Sequence, residues 1–194
     1  MTVSSEETPP TINDGSFNAN PPGIGFWALV AEDFRTHGSD LASQGFWALF
    51  WHRFGNWRMS VGPRLLRLPL SALYRVMLRL GERSGGILLP YTVIVGRRVK
   101  LEHFGGMVLS AHRIGDDTII RQNTTFGIAR VAEPDARPVI GSGVDVGVGV
   151  AILGAVHVGD GAVIGANALV IRDVAPGDTV GGVPARSLRR GADG

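Results

Sequence analysis

Aliphatic side chains recur at every sixth position through the second half of the chain, and no other feature restricts its fold as tightly. Ile140, Val146, Ile152, Val158, Ile164 and Val170 form an unbroken series. Upstream, Leu89, Val95, Leu101 and Met107 keep the same spacing, and Ile114, Ile120 and Phe126 resume it one residue out of phase. Glycine directly follows the phased residue at Gly96, Gly115, Gly127, Gly141, Gly147, Gly159 and Gly165. A period of six suits neither an α-helix nor a simple alternating strand. It suits a coil of three short strands per turn, in which the phased side chains point into a triangular prism. The series is broken once at length, between Phe126 and Ile140, so residues 128–139 contain a loop that leaves the prism. Loops projecting from rigid scaffolds commonly hold binding residues, although a harmless insertion has the same signature.

The first half follows a different grammar. Residues 1–22 are polar and proline-rich, the composition of a disordered tail. Residues 23–84 read as an α-helical domain. Phe26, Trp27, Leu29 and Val30 make one apolar stripe, and Phe46, Trp47, Leu49, Phe50 and Phe54 make another. Leu65 to Leu80 is apolar with Arg64, Arg67, Arg75 and Arg79 along it, and Pro63 and Pro69 are expected to limit where its helices start and continue. The prism is expected over 85–187, beginning at Gly85-Gly86, with a tail at 188–194.

Composition narrows the function classes. There are no cysteines, which excludes disulfides, thiol nucleophiles and zinc–thiolate sites. A net charge of +2, with basic residues scattered and Lys100 the only lysine, gives no case for nucleic acid. No apolar run has the length of a membrane span, and the start of the chain does not resemble a signal peptide, so a cytoplasmic protein is expected.

Several segments together resemble the hexapeptide-repeat acyltransferases, and within them the serine acetyltransferase-like branch. Gly45-Phe46-Trp47-Ala48-Leu49 followed by His52-Arg53 is similar to that family's helical segment. Leu101-Glu102-His103-Phe104-Gly105-Gly106 resembles its active-site segment, and Gln122-Asn123-Thr124-Thr125-Phe126-Gly127 one of its coils. Gly182-Val183-Pro184-Ala185-Arg186 matches the closing motif these transferases share. The resemblance implies a left-handed parallel β-helix with a small N-terminal α-helical domain, and an O-acetyltransferase that uses acetyl-CoA and no metal. It implies that His103 is the catalytic base, with Glu102 beside it in place of an aspartate. A group of near-neutral pKa suits that task, because it must take a proton from a hydroxyl and then return it to a thiolate. His112 and His157, outside the motif, read as surface residues.

Departures from the family pattern gather at the acceptor site. Where the family has an aspartate that orients the histidine, this chain has Leu88. The Arg-His pair before the loop proline is Ala136-Arg137 before Pro138, and the nearest candidate for the helical aspartate that holds serine is Asp40, which lacks the following proline. Arg137 retains a charge for a carboxylate but cannot serve as a proton acceptor. Losing buried charge partners costs an amino-acid acceptor on the order of 2–5 kcal/mol. The pattern therefore resembles relatives that acetylate a free or lipid-linked sugar during exopolysaccharide or colanic-acid assembly. Serine O-acetylation is the alternative.

For the donor, the resemblance implies that Gly127, Ile128, Val148 and Ala166 approach CoA and that Arg186 attracts its phosphates. It also implies a homotrimer whose sites form between neighbours, rather than a hexamer. The arginine-bearing stretch 64–79 could rest weakly on an anionic membrane surface. Its simpler reading is an ordinary helix with its arginines in water. Two other classes compete: a metal-dependent hydratase using His103, His112 and His157, and a non-catalytic trimeric scaffold.

Overall fold

The computed structural model describes residues 13–188. Three α-helices precede the prism: α1 (Phe26–Thr36), α2 (Gln44–Trp57) and α3 (Arg64–Gly85). Ser43 caps α2 by accepting from the Phe46 N–H, one of the donors that a helix start leaves without a partner. Pro63 caps α3 and Gly86, at φ 62°, ends it. The expectation that Pro69 would interrupt this segment is not met, since α3 runs through it. Proline removes the bond to the Leu65 carbonyl, but Leu65 is exposed, so water can take the lost donor's place.

Strands then wind in coils. The first coil holds β1 (Ile87–Leu88), β2 (Ile94–Val95) and β3 (Lys100–Glu102). The second holds β4 (Met107–Leu109), β5 (Arg113–Ile114) and β6 (Ile119–Arg121). The third holds β7 (Thr125–Gly127), β8 (Val139–Ile140) and β9 (Asp145–Val146), and the fourth β10 (Ala151–Leu153), β11 (His157–Val158) and β12 (Val163–Ile164). The last has β13 (Leu169–Val170) and β14 (Thr179–Gly181), with Val174 bridging to Val158 between them. Antiparallel β15 (Arg186–Ser187) closes the end. Parallel pairing stacks these strands into three faces. The first face is β1-β4-β7-β10-β13, the second β2-β5-β8-β11, and the third β3-β6-β9-β12-β14.

The period-six residues fill the prism as expected. Ile114, Ile120, Phe126, Ile140, Val146, Ile152 and Val158 are fully buried, and each such side chain contributes about 1.5–3 kcal/mol of burial. A side chain at Gly147 would place its Cβ 2.7 Å from the Ala166 nitrogen of the next coil, which is why glycine follows the phased residue there. The phase slip also acquires a location. Register pairs Leu109, not Met107, with Phe126, and Val108 with Thr125. The first turn from third face to first face therefore carries two residues more than the coil below, and those extra residues lie in the segment beginning at His103.

Polar groups hold the helices to the prism. Arg53, fully buried, donates to Asp33 Oδ2 of α1 (2.9 Å) and to the carbonyls of Val95 (2.7 Å) and Gly96 (2.6 Å). His52 donates to the Val93 carbonyl at 2.9 Å. The Arg58 guanidinium lies over the rings of Tyr74 (4.7 Å) and Tyr91 (4.3 Å). The expected tail boundary at residue 22 falls too late: Ala19 N–H donates to Asn56 Oδ1 and Asn20 to the Arg53 carbonyl, while Tyr91 donates to the Gly15 carbonyl. Short polar side chains here find backbone partners across the fold, which composition does not reveal. Residues 1–12 and 189–194 lie outside the described residues. Among the described residues, no helix is long and apolar enough to cross a membrane.

Candidate active site

His103 stands on the edge between the third and first faces, immediately after β3. Its backbone has φ 63°, the left-handed region that non-glycine residues seldom occupy. Such a conformation costs on the order of 1–3 kcal/mol and gathers at functional sites. The turn is held on both sides. Gly105 N–H donates to the Gly85 carbonyl (2.9 Å), Met107 N–H to that of Gly86 (2.9 Å), and Asn123 N–H to that of Gly105 (3.0 Å). At Gly106, φ 64°, a Cβ would come within 2.7 Å of Asn123 Oδ1, so the turn admits only glycine without a shift. Among the described residues no group hydrogen-bonds the His103 imidazole, and the side chain is exposed.

The helices reach the same place from outside. Leu101 N–H donates to His37 Nε2 at 3.2 Å, and His37 Nδ1 donates to the Asp33 carbonyl at 2.8 Å, which fixes the neutral tautomer. Burial depresses the His37 pKa below its ordinary value. Gly45 lies so close that any side chain there would meet the Leu101 carbonyl. The glycine of the Gly-Phe-Trp-Ala-Leu segment is thus explained by contact with the strand that leads into His103. Asp40 sits in the exposed loop between these anchors and caps it by accepting from the Ala42 N–H (2.8 Å).

Glu102 does not support the imidazole. In β3 its side chain alternates with the buried Leu101 and so points outward. There it accepts from Lys100 Nζ at 2.8 Å and pairs with Arg121 Nε at 3.3 Å, and Arg121 continues to Asp145. The Lys100 ammonium, aided by Arg121, holds the Glu102 carboxyl below the usual carboxylate range. Leu88 pairs with the exposed Val108 on the first face, so the family's aspartate position lies on an apolar surface.

Continuing the register from Glu102–Arg121 and Val146–Ile164 stacks His103, Gln122, Val148 and Ala166 along one edge. Gly149 N–H donating to the Gln122 carbonyl and Asn167 N–H to that of Val148 confirm the stacking. Gln122 Oε1 is buried and has no partner among the described residues, a feature the sequence could not signal because burial of one amide oxygen leaves no pattern. Gly127 and Ile128 lie on another edge, between the first and second faces. There the loop at 128–138 begins above a cleft of about 610 Å³ lined by Ala129, Arg130, Gly154 and Arg172. His112 Nε2 ties this loop down by donating to the Asp135 carbonyl at 2.6 Å, and Arg137 donates to the Pro134 carbonyl within it. Arg137 and His103 therefore occupy different edges of one prism. Arg186 is exposed on β15, where the closing segment folds back and Ala185 N–H meets the Leu169 carbonyl. Among the described residues no three histidine or acidic side chains are grouped to hold a metal ion. His157, like His112, borders the second face, away from His103.

No protein-family model matches the chain. It is similar to the serine acetyltransferase of Mycobacterium tuberculosis, with 30% identity over 145 residues that cover 74% of this chain and 60% of that protein. With the serine acetyltransferase of Helicobacter pylori it shares 33% identity over 117 residues, 60% of this chain and 68% of that one. The structure of soybean serine acetyltransferase complexed with serine superposes with a TM-score of 0.71 at 27% identity, covering 84% of this chain and 69% of the other. The chain spans only about half to three-fifths of the first curated relatives it matches.

Proposed function

Because the chain belongs to the serine acetyltransferase family, we propose that it is an acetyl-CoA-dependent O-acetyltransferase with His103 as general base. The observation that carries this reading is the His103 turn itself. His103, whose backbone takes the left-handed conformation that Arg98, Asp117, Asn123 and Asn167 also adopt, presents an exposed imidazole at an edge where backbone bonds fix the turn that follows it, beside the strand that the helices grip. In the reaction, neutral His103 takes the proton of an acceptor hydroxyl as its oxygen attacks the thioester carbonyl. Backbone N–H groups of the glycine-rich turn stabilise the oxyanion. Collapse breaks the carbon–sulfur bond, and the imidazolium returns the proton to the CoA thiolate.

The donor occupies a groove between copies of the chain. In a homotrimer the edge bearing Gly127, Ile128 and the loop of one copy faces the edge bearing His103, Val148 and Ala166 of the next. That pairing explains why one chain splits these residues between two edges, and why Arg137 is remote from its own His103. Arg186, and Arg172 in the cleft beneath the loop, meet the phosphates of CoA.

For the acceptor, serine is our first reading, supported by the name serine acetyltransferase that the relatives carry, and this reverses the order expected from the sequence. A glycan hydroxyl is the second reading, favoured by one observation: Leu88, where the family pattern has an aspartate, pairs with the exposed Val108 on an apolar strip of the first face. CoA release measured with L-serine and with a panel of nucleotide sugars separates the two. Turnover with serine alone supports the first reading; turnover with a sugar alone replaces it by the second. No acetyl transfer to any hydroxyl, with the fold intact, overturns the enzyme assignment.

A further inference from the structure

Helix α3 is left uncovered by its own fold. Of its 22 residues only Tyr74 and Gly85 are buried. Leu66, Leu73 and Leu80 stand seven residues apart in one stripe, flanked by Leu65, Pro69 and Val76, as the helical period dictates. Leu65 is 79% exposed, Leu66 59% and Val76 56%. Arg75, Arg79 and Arg83, each four residues beyond the last, run along one border of the stripe, and Arg64 and Arg67 lie at its start. Glu82 is the only acid on the helix, and it is already paired with Arg79 at 3.2 Å. On the opposite border α3 meets α2 across an apolar hollow of about 320 Å³, lined by Trp47, Trp51, Met77 and Leu80. Trp47 is itself 40% exposed.

An apolar stripe with a cationic border and tryptophan beside it has the composition of a helix that lies in a membrane interface. A second copy of the chain is a poorer occupant. Packing two such stripes antiparallel would bring two rows of arginines side by side, and packing them parallel would set each row beside a helix whose one acid, Glu82, is already paired. An anionic bilayer offers both complements at once, hydrocarbon for the leucines and phosphates for the arginines. We propose that α3, together with the tryptophan-lined hollow beside it, docks this protein on an anionic lipid bilayer, with the helix lying in the plane of the interface. The docked helix runs directly into the catalytic turn, because the Gly85 carbonyl at its end accepts from Gly105 N–H, two residues after His103. This docking goes beyond acetyl transfer and does not depend on the identity of the acceptor.

Co-sedimentation of the full chain with vesicles tests the proposal, using phosphatidylcholine with and without phosphatidylglycerol at low salt. Binding is expected only to the anionic vesicles, and to weaken as salt is added. The variant R75Q/R79Q/R83Q should partition on the order of a hundredfold less, and L66S/L73S should also be lost from the pellet. Both change only exposed side chains, so their circular dichroism and their acetyl transfer in vesicle-free buffer should match the parent chain. Failure of the parent chain to bind at low salt overturns the proposal, as does undiminished binding by the arginine variant. A fall in the mass of L66S/L73S at sedimentation equilibrium overturns it too, by assigning the stripe to a second copy.

Discussion

The prism and the helical region solve the same problem, burial of a core, by opposite means. In the prism, one kind of apolar position repeats, each coil covers the next, and the charged groups stay on the outer faces. In the helical region the seam is polar: Asp33, His37, His52, Arg53, Asn56 and Arg58 are all buried. The prism's order is many small equivalent contributions, so its loss can be gradual. The helices' placement depends on a few long-range bonds that cannot be partly satisfied, since a buried polar group without a partner is costly. The His103 turn lies where the two regions meet.

The largest expected effect separates chemistry from scaffold. His103→Asn tolerates φ 63° yet offers no base, so kcat should fall by about 10²–10⁴-fold with an unchanged melting curve. A variant that kept its activity would remove His103 from the mechanism. Next comes the polar seam. Arg53→Met leaves Asp33 buried without its partner and should cost about 3–5 kcal/mol in urea unfolding. Asp33→Asn/Arg53→Met should recover part of that loss, and a cost below that of a conservative prism substitution would refute the contrast between the regions.

Acid should act on the helical side first. Burial pulls the His52 pKa down to about 3 and lowers that of His37, whereas the unfolded chain binds these protons near 6.5. As pH falls below 6.5 the unfolded state therefore takes up protons before the folded one does. Stability that is fully present above 6.5 should drain away down to about pH 3. Unfolding free energy against pH for the parent chain and for His52→Gln checks this, since the variant should show a shallower decline. Gly45→Ala should cost about 1–3 kcal/mol by overpacking. It should also lower kcat by displacing β3, whereas an activity loss without destabilisation would contradict the steric account. The smallest effect belongs to the prism: Ile140→Val should cost only about 0.5–1.5 kcal/mol, measured by the same unfolding assay.

Much of the fold was legible before any coordinates, and the reason is local. Each phased aliphatic records its own inward direction, and a coil needs only its neighbours to repeat it. Even the phase slip between Met107 and Ile114 marked the neighbourhood of the His103 turn, although only the pairing of Leu109 with Phe126 located the extra residues. Motif resemblance picked out His103 and the segment starting at Gly45. Partner choice was not legible. Nothing in the spacing says that Glu102 turns outward to Lys100 and Arg121, or that His112 ties down the loop. Nor does it say that Asn20 reaches back to α2 from a segment with the composition of a tail.

By itself, then, the sequence determined the repeating core and named the histidine that its rigid edge presents. Both are encoded in short stretches whose neighbours in the chain are also their neighbours in the fold. Tertiary structure decided the rest: the two edges on which the residues proposed to bind the donor stand, the Arg53 and His37 seam that holds the strand leading to His103, and the uncovered stripe of α3. These depend on which coil stacks on which and on where the helices come to rest. A charge or an exposed leucine acquires its meaning only from groups that the chain brings together across long separations.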